Sequence, residues 1–433
     1  MPRRPARSAL LLAALSLATA ARAEPAPPAR AVLDTYVTLA QAMTEDAVAG
    51  ARDLDRAVAA LLAAPSPETL KAAREAWIRA RVPYMQTEGY RFGNKAVDAL
   101  EGKVNAWPLD EGLIDYVDTA KYGEASDENP LFRANVIANP RLRIGRRQVD
   151  ATTIDADLLE TLHEAQGIEA NVATGYHAVE FLLWGQDLNG TGPGAGNRPA
   201  SDYATGAACT NGHCDRRRAY LTAASALLVR DLQAMADLWG PKGQAREDLA
   251  RKGETAGLAT ILTGLGSLSY GELAGERMKL GLTLHDPEEE QDCFSDNTHN
   301  AHWYDQVGIT AIATGRYVRT DGRVVEGPSL MAYAAAKAPE EARRLDAALK
   351  TASERIRAIK DRADSGIEAY DQMIGEGNAE GNRIVQAAID ALVAQTRGIE
   401  AVVGKLGLSV SVEGSDSLDN PGAVGPGASG KKR

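Results

Sequence analysis

A short segment near the middle of the chain holds the residues best suited to do chemistry. Residues 175–185 read GYHAVEFLLWG, so that His177 and Glu180 stand three positions apart. Residues three apart share one face of a helix, and zinc and iron accept imidazole nitrogen and carboxylate oxygen as ligands. The spacing indicates a metal site that needs at least one more ligand, or else a buried histidine that pairs with the carboxylate.

The same segment lacks the motifs of known zinc proteases. His-Glu-x-x-His occurs nowhere in the chain, and His-x-x-Glu-His would need a histidine at position 181, where Phe181 stands. Those motifs supply the metal ligands together with the general base. The residues alone therefore do not support peptide hydrolysis.

Charged residues at helical spacing also occur in WIRARVPYMQTEGYRFG, residues 77–93. Glu88 is placed to reach a metal, while Arg81 or Arg91 is placed to bind a carboxylate through two hydrogen bonds. A buried salt-bridge network between helices explains the same residues at least as well, so both interpretations stay open.

Two other segments carry potential ligands. In GELAGERM, the pair Glu272 and Glu276 lies four residues apart on one helix face, where solvated charges are the ordinary interpretation. Residues 288–302 are denser and bring together Asp292, Asp296, His299 and His302. A capped helix start explains some of these acidic residues, but it does not explain the clustered histidines.

The elements that must position these residues are predicted to be helices. Apolar residues recur every three or four positions from Val32 onward, and Ser66 followed by Pro67 is a typical helix start. Alternating β-branched runs are nearly absent, and aromatic residues make up only 5% of the chain. The predicted fold class is therefore all-α, with helix packed on helix.

A linker near the middle of the chain suggests two units. Residues 189–200 are rich in glycine and proline, and no Gly-Lys-Ser/Thr follows them, which excludes a phosphate-binding loop. A cysteine-containing loop follows. We place a division there and predict a first helical bundle over residues 24–205, which holds the 175–180 segment, and a second over residues 206–408.

The two ends of the chain are predicted to lie outside the fold. Residues 1–23 combine a basic start, a short apolar stretch and Ala-Arg-Ala, as in a cleaved secretory signal peptide. No later apolar run is long enough for a transmembrane segment, so we expect a periplasmic protein. Residues 409–433 are rich in serine, glycine and proline and are predicted to be a disordered tail.

Loss of the signal peptide would change the net charge from −11 to −15, because it removes four arginines and no acidic residue. An acidic chain is a poor partner for nucleic acid, whose phosphates need lysine and arginine. An acidic chain is better suited to binding cations. Alternatively, its negative charge serves only to keep the protein soluble.

Three cysteines occur in the sequence. In an oxidising compartment, Cys209 and Cys214 are expected to form a disulfide, which leaves Cys293 as a free or buried thiol. Their loop, CTNGHC, differs from the Cys-x-x-Cys-His motif of haem attachment. A metal site at this pair is the less favoured alternative.

Taken together, the motifs resemble the imelysin-like family, of the peptidase M75 type, and in particular its iron-regulated protein A branch. Gly175, His177 and Glu180 match the Gly-x-His-x-x-Glu signature of that family. The companion motifs of that branch are WIRARVPYMQTEGYRFG at 77–93, NAWPLDEGLIDYV at 105–117, GNRPASDY at 196–203, CTNGHCDRR at 209–217, GELAGERM at 271–278 and DCFSDNTH at 292–299. The resemblance covers roughly residues 30 to 405.

The resemblance implies two packed helical bundles with the signature at their interface, an envelope or periplasmic location, and a link to iron supply. It carries Gly175, His177 and Glu180 over as signature positions. The remaining metal ligands are not fixed by the match. We take Glu88, Glu276 and His299 as candidates because they lie inside matched motifs.

Three functions are compatible with these observations. The first is a periplasmic protein that binds a divalent or ferric metal ion, iron or zinc, or assists iron uptake beside other envelope proteins. The second is a metallopeptidase, which rests only on the family name, and no catalytic residue is assigned to it. The third is a binding module without a metal, in which the signature is a structural polar cluster.

Overall fold

The computed structural model describes residues 25–127 and 129–414, and within them helices dominate, which confirms the predicted all-α class. The predicted signal peptide, residues 1–23, lies outside the described residues, as does most of the predicted tail.

The described chain opens with a helical hairpin. Helices α1 (Ala29–Ala63) and α2 (Pro67–Met85) pack against each other. At the predicted start of α2, the Thr69 N–H donates to the Ser66 hydroxyl and the Ser66 N–H donates to the Thr69 hydroxyl. This reciprocal cap satisfies two donors that a helix start leaves free. Helix α2 carries Arg81 towards the centre of the molecule.

The elements between α2 and residue 205 are short. The helices are α3 (Lys95–Asn105), α4 (Glu111–Ile114), α5 (Thr119–Tyr122), α6 (Ala156–Leu162) and α7 (Gly175–Trp184). Strands β1 (Arg141–Ile144) and β2 (Arg147–Asp150) form an antiparallel hairpin that the sequence pattern did not predict.

Long helices alternate with short ones in the rest of the chain. They are α8 (Cys214–Trp239), α9 (Gln244–Ser267), α10 (Leu280–Leu284), α11 (Thr298–Thr314), α12 (Leu330–Lys337), α13 (Pro339–Asp364), α14 (Tyr370–Ile374) and α15 (Ala379–Leu406). A π-helix, Leu268–Lys279, joins α9 to α10. A second antiparallel hairpin, β3 (Arg316–Val318) and β4 (Val324–Glu326), turns at Asp321-Gly322, where Gly322 has a φ of +85°. Within the described ranges, none of these helices has the length and apolar character needed to cross a membrane.

Two hydrophobic cores hold the helices together. The larger core includes buried residues of α1, α2, α3, α7, α8 and α11, and the smaller core joins the π-helix to parts of α13, α14 and α15. Helix α8 packs against both α1 and α7. These contacts cross the predicted division after residue 205, and that division stays a prediction.

The cysteines occupy two different environments. Cys209 and Cys214 form a disulfide just before and at the start of α8, with their Cα atoms 5.9 Å apart. Cys293 is a buried thiol in the loop before α11. That loop also carries Asp292 and places it in the interior of the molecule.

Candidate metal centre

Helix α7 is the element that places the signature at the centre of the larger core. All ten of its residues are buried, and α2, α3 and α8 pack against it. A helix that is apolar on every side belongs in a core. His177 and Glu180 of this helix therefore lie in surroundings that water does not reach.

Three side chains gather at this point. His177, Glu180 and Asp292 each present one potential ligand atom, and these atoms all lie within 4.8 Å of one another. His177 Nδ1 is 2.9 Å from Glu180 Oε2, while His177 Nε2 has no hydrogen-bond partner. Among the described residues, no other group of three histidine, cysteine or acidic side chains is as compact.

Arg81 compensates the charge of Asp292. Its Nη2 donates to Asp292 Oδ1 at 2.6 Å, and both side chains are almost fully buried. The guanidinium also lies over the rings of Tyr176 and Trp77, 5.1 and 5.6 Å from their centroids. Asn297 donates to the other carboxylate oxygen at 2.8 Å. The Asp292 carboxylate is therefore held in one position from two sides.

The loop that carries Asp292 also holds Glu180. The backbone N–H and the hydroxyl of Ser295 donate to Glu180 Oε1 at 3.0 and 2.6 Å. The Phe294 ring packs on Phe181, with 5.3 Å between the centroids. One loop thus supplies a ligand, orients a second ligand and covers the group.

Burial sets the protonation of the group. Burial and the nearby Arg81 charge lower the pKa of His177 to about 3, so this imidazole is neutral at physiological pH. Burial and the charge of Asp292 raise the pKa of Glu180 well above its usual range. Burial also favours the neutral form of Asp292, but Arg81 outweighs it and leaves the pKa of Asp292 below its usual range.

A second buried charge cluster surrounds Arg277 on the π-helix. Its guanidinium binds Glu88 at 2.6 Å, Asp305 at 2.8 Å and Glu272 at 3.2 Å. Arg91 adds a contact to Glu272 at 3.0 Å. Glu88 and Arg91 thus belong to a buried salt-bridge network, which is one of the two interpretations that their spacing allowed.

The predicted ligands therefore separate into two sets. The structure brings His177 and Glu180 together, whereas Glu88, Glu276 and His299 lie outside the compact group. Glu88 is bound to Arg277. Glu276 is half-buried, and burial with the charge of Glu272 raises its pKa to about 7. His299 Nε2 lies 3.4 Å from a carboxylate oxygen of Asp364.

Two residues beside the group were not among the predicted ligands. Asp292 stood in the acidic and histidine-rich segment, but nothing in that segment singled it out. His302, on α11, is fully buried, and neither of its ring nitrogens has a hydrogen-bond partner. Burial and the charge of Arg277 lower the pKa of His302 to about 3, and the charge of Asp292 acts in the opposite direction. The density of histidines in residues 288–302 was the signal that the sequence offered. It does not show which of these histidines the fold buries.

The glycine of the signature has a steric role. Gly175 has a φ of +82°, and a Cβ there would lie 2.5 Å from the Val104 carbonyl oxygen at the end of α3. A side chain is disfavoured by the backbone conformation and by the neighbouring backbone. Gly175 thereby allows α7 to begin directly against α3.

Replacing Gly175 with alanine is expected to lower the free energy of unfolding by about 2–5 kcal/mol, because a positive φ and overpacking each add strain. Gly190 is the matched control, since its φ is +62° and a Cβ there meets nothing within 4 Å. Gly190→Ala is expected to cost only about 1–2 kcal/mol. Chemical denaturation compares the two, and equal effects would show that the contact with α3 contributes nothing.

Comparison with known proteins gives consistent results. A sequence model of the family described as Imelysin, peptidase M75, matches residues 39–399. Iron-regulated protein A of Synechococcus elongatus is 36% identical over 83 residues, which is 19% of this chain and 21% of that protein. The aligned part thus spans about a fifth of that relative.

Two solved structures share the fold. A protein described as an iron-regulated protein A precursor from Parabacteroides distasonis superposes with a TM-score of 0.60 at 16% identity, over 88% of this chain and 96% of the other. An imelysin-like protein from Psychrobacter arcticum superposes with a TM-score of 0.59 at 16% identity, over 90% of this chain and 99% of the other. At this identity the likeness concerns the fold alone.

Proposed function

The chain belongs to the imelysin family, and on that premise we propose that it is an exported periplasmic protein that binds a metal ion and serves iron uptake. One observation carries the proposal most strongly. His177, Glu180 and Asp292 form a compact and fully buried group of potential ligands, and one ring nitrogen of His177 has no hydrogen-bond partner. The name of the cyanobacterial relative, iron-regulated protein A, supports iron as the metal.

The donor set fits such an ion. One imidazole nitrogen and two carboxylate oxygens suit iron(II) or zinc better than calcium or magnesium, which prefer oxygen ligands only. Arg81 already balances the charge of Asp292. A bound cation would balance Glu180 and would give the unpartnered side of His177 a partner. His302 is a candidate for a further ligand, because both of its ring nitrogens are buried without hydrogen-bond partners.

A metal titration tests the proposal. The mature chain is stripped with a chelator and titrated with zinc and, under anaerobic conditions, with iron(II), while calorimetry measures the heat. We expect saturable binding of one ion per chain at the buried group. A protein that takes up neither ion would leave the group as a structural polar cluster.

Binding is expected to release about one proton per metal ion at pH values below the raised pKa of Glu180, because Glu180 must ionise to act as a ligand. His177, with a pKa of about 3, has no proton to lose from a charged form. The affinity should therefore rise about tenfold per pH unit below the pKa of Glu180 and level off above it. Calorimetry in two buffers of different ionisation enthalpy counts the protons. A count of zero in the pH range where the affinity rises would contradict this assignment.

The structural cluster is the competing function, and one contact favours it. The ion pair of Arg81 and Asp292 already satisfies part of the group without a metal. Under this alternative, His177→Ala lowers stability and no bound metal is lost. A peptidase function is not proposed, because the sequence lacks the His-Glu-x-x-His and His-x-x-Glu-His motifs, which supply metal ligands together with a general base.

A further inference from the structure

A groove opens where the glycine- and proline-rich linker passes the end of α7. Its volume is about 410 Å³, within the range of roughly 300–1,000 Å³ that small-molecule sites occupy. The lining comes from three segments, residues 116–118, 184–186 and 188–198. We call it the linker groove. None of its lining residues belongs to the metal centre, so the groove is a second place where a ligand can bind.

One wall of the linker groove is apolar and partly exposed. Tyr116 is 37% exposed and Leu188 is 41% exposed, and both line the groove together with Val117 and Trp184. Small-molecule sites are lined mainly by apolar and aromatic side chains with a few polar groups among them. The wall therefore suits a ligand with an apolar body.

The aromatic part of this wall is held rigidly. The Tyr116 hydroxyl donates to Asp202 at 2.7 Å and accepts from Asn211 at 3.2 Å. The guanidinium groups of Arg198 and Arg217 lie 4.9 and 5.3 Å from the centroid of the Tyr116 ring. Because the ring is already fixed, covering it with a ligand costs little conformational entropy.

Arg198 places a partly unpartnered guanidinium in the lining. Its side chain is only 1% exposed, and its Nη1 makes both of its ion pairs, with Asp115 at 2.7 Å and with Asp202 at 3.1 Å. Nε is buried without a hydrogen-bond partner, and Nη2 donates to no residue that the structure describes. The Nε–Nη2 edge of a guanidinium can bind a carboxylate through two parallel hydrogen bonds. A ligand that accepts there would satisfy a donor that is costly to leave unmade.

The charges around the groove also favour an anion. The Arg74 guanidinium lies 5.5 Å from the centroid of the Trp184 ring, and Lys121 donates to the Leu188 carbonyl at 2.9 Å. Neither cation forms an ion pair with an acid of the described chain; Arg74, like Lys121, donates to backbone carbonyls. Asp118 also lines the groove, but its carboxylate accepts from backbone N–H groups at the start of α5.

We propose that the linker groove binds a small amphipathic carboxylate, an organic acid with an apolar body. The body packs on Tyr116 and Leu188, and the carboxylate pairs with the Nε–Nη2 edge of Arg198. The ligand needs no metal at His177. The linker groove and the metal centre can therefore be tested separately, and either can fail without the other.

Isothermal calorimetry on the chelator-treated, full mature chain tests the groove. The probes are phenylbutyrate, with an aryl body, and octanoate, with an alkyl body, and each is compared with its uncharged primary amide. We expect saturable binding of one acid per chain. The better-fitting acid should bind at least about tenfold more tightly than its amide, the difference expected for hydrogen bonds to a charged group.

Two variants locate the binding. Arg198→Lys keeps the charge but removes the fork, and it should weaken binding of the acid at least about tenfold while leaving binding of the amide nearly unchanged. Leu188→Ser should weaken acid and amide alike, because it removes part of the apolar wall. Leu284→Ser is the matched control, since Leu284 is an exposed leucine outside the groove, and it should bind as the wild type does.

Circular dichroism checks that each variant is folded. If Arg198→Lys does not fold, the acid and amide comparison and the surface variant Leu188→Ser still decide the matter. The linker groove is overturned if neither acid binds saturably or if acid and amide bind equally well. It is likewise overturned by a folded Arg198→Lys protein with wild-type affinity, or by equal effects of Leu188→Ser and Leu284→Ser.

Discussion

Replacing His177 with alanine is expected to lower the affinity of the mature chain for zinc or iron(II) at least about 100-fold. Loss of a residue that merely orients a ligand typically costs 10- to 100-fold in metal affinity, and His177 is the nitrogen ligand of the compact group itself. The two carboxylates that would remain, Glu180 and Asp292, are fewer than a stable zinc or iron site needs.

Calorimetric titration of the chelator-treated variant measures this loss, and circular dichroism checks that the fold is retained. His213→Asn is a suitable control, because His213 is exposed on the cysteine loop and asparagine tolerates its positive φ. The control should bind as the wild type does. An unchanged affinity in a folded His177→Ala protein would rule out the histidine as a ligand.

Replacing Arg277 with methionine is expected to lower the free energy of unfolding by about 3–5 kcal/mol, as the removal of one partner from a buried ion pair commonly does. Arg277 binds the carboxylates of Glu88, Asp305 and Glu272. Burial disfavours the charged form of Arg277, but the carboxylates around it, Asp305 first, outweigh burial and hold its pKa well above the usual range. Methionine fills similar space but leaves three acids with less compensation.

The loss of stability in Arg277→Met should be smaller at acidic pH, because protonation of the carboxylates that Arg277 contacted removes their unbalanced charge. Urea unfolding at pH 7 and at pH 5 measures the free energy of unfolding under both conditions. Arg251→Met is the matched control, since Arg251 is an exposed arginine on α9 whose ion pairs are at the surface. The control should change stability little. Equal losses in the two variants would contradict the compensating role of Arg277.

Local sequence patterns predicted the elements that position the site but only part of the site itself. The cap formed by Ser66 and the helix that carries His177 and Glu180 follow from neighbouring residues, because capping and helical spacing are local properties. The contact of Arg81 with Asp292 joins residues 211 positions apart. Helical periodicity says nothing about such a pair, since a loop and not a helix presents the aspartate.

The π-helix shows a second limit of sequence reading. Glu272 and Glu276 lie on a π-helix, residues 268–279, and not on an α-helix, and its hydrogen bonds join residues five apart. The two carboxylates still lie near each other, since burial and the charge of Glu272 raise the pKa of Glu276 to about 7, but they have different partners. Glu272 binds Arg91 and Arg277, whereas neither arginine forms an ion pair with Glu276. No residue pattern in the segment indicated this change.

Crystals of the mature chain soaked with zinc, with diffraction recorded at the zinc absorption edge, test the central claim most directly. The proposal predicts an anomalous peak among His177, Glu180 and Asp292, about 2.0–2.2 Å from their ligand atoms, and no peak there in His177→Ala. A zinc-saturated crystal without that peak, in which the hydrogen bond between His177 and Glu180 is intact, would contradict it.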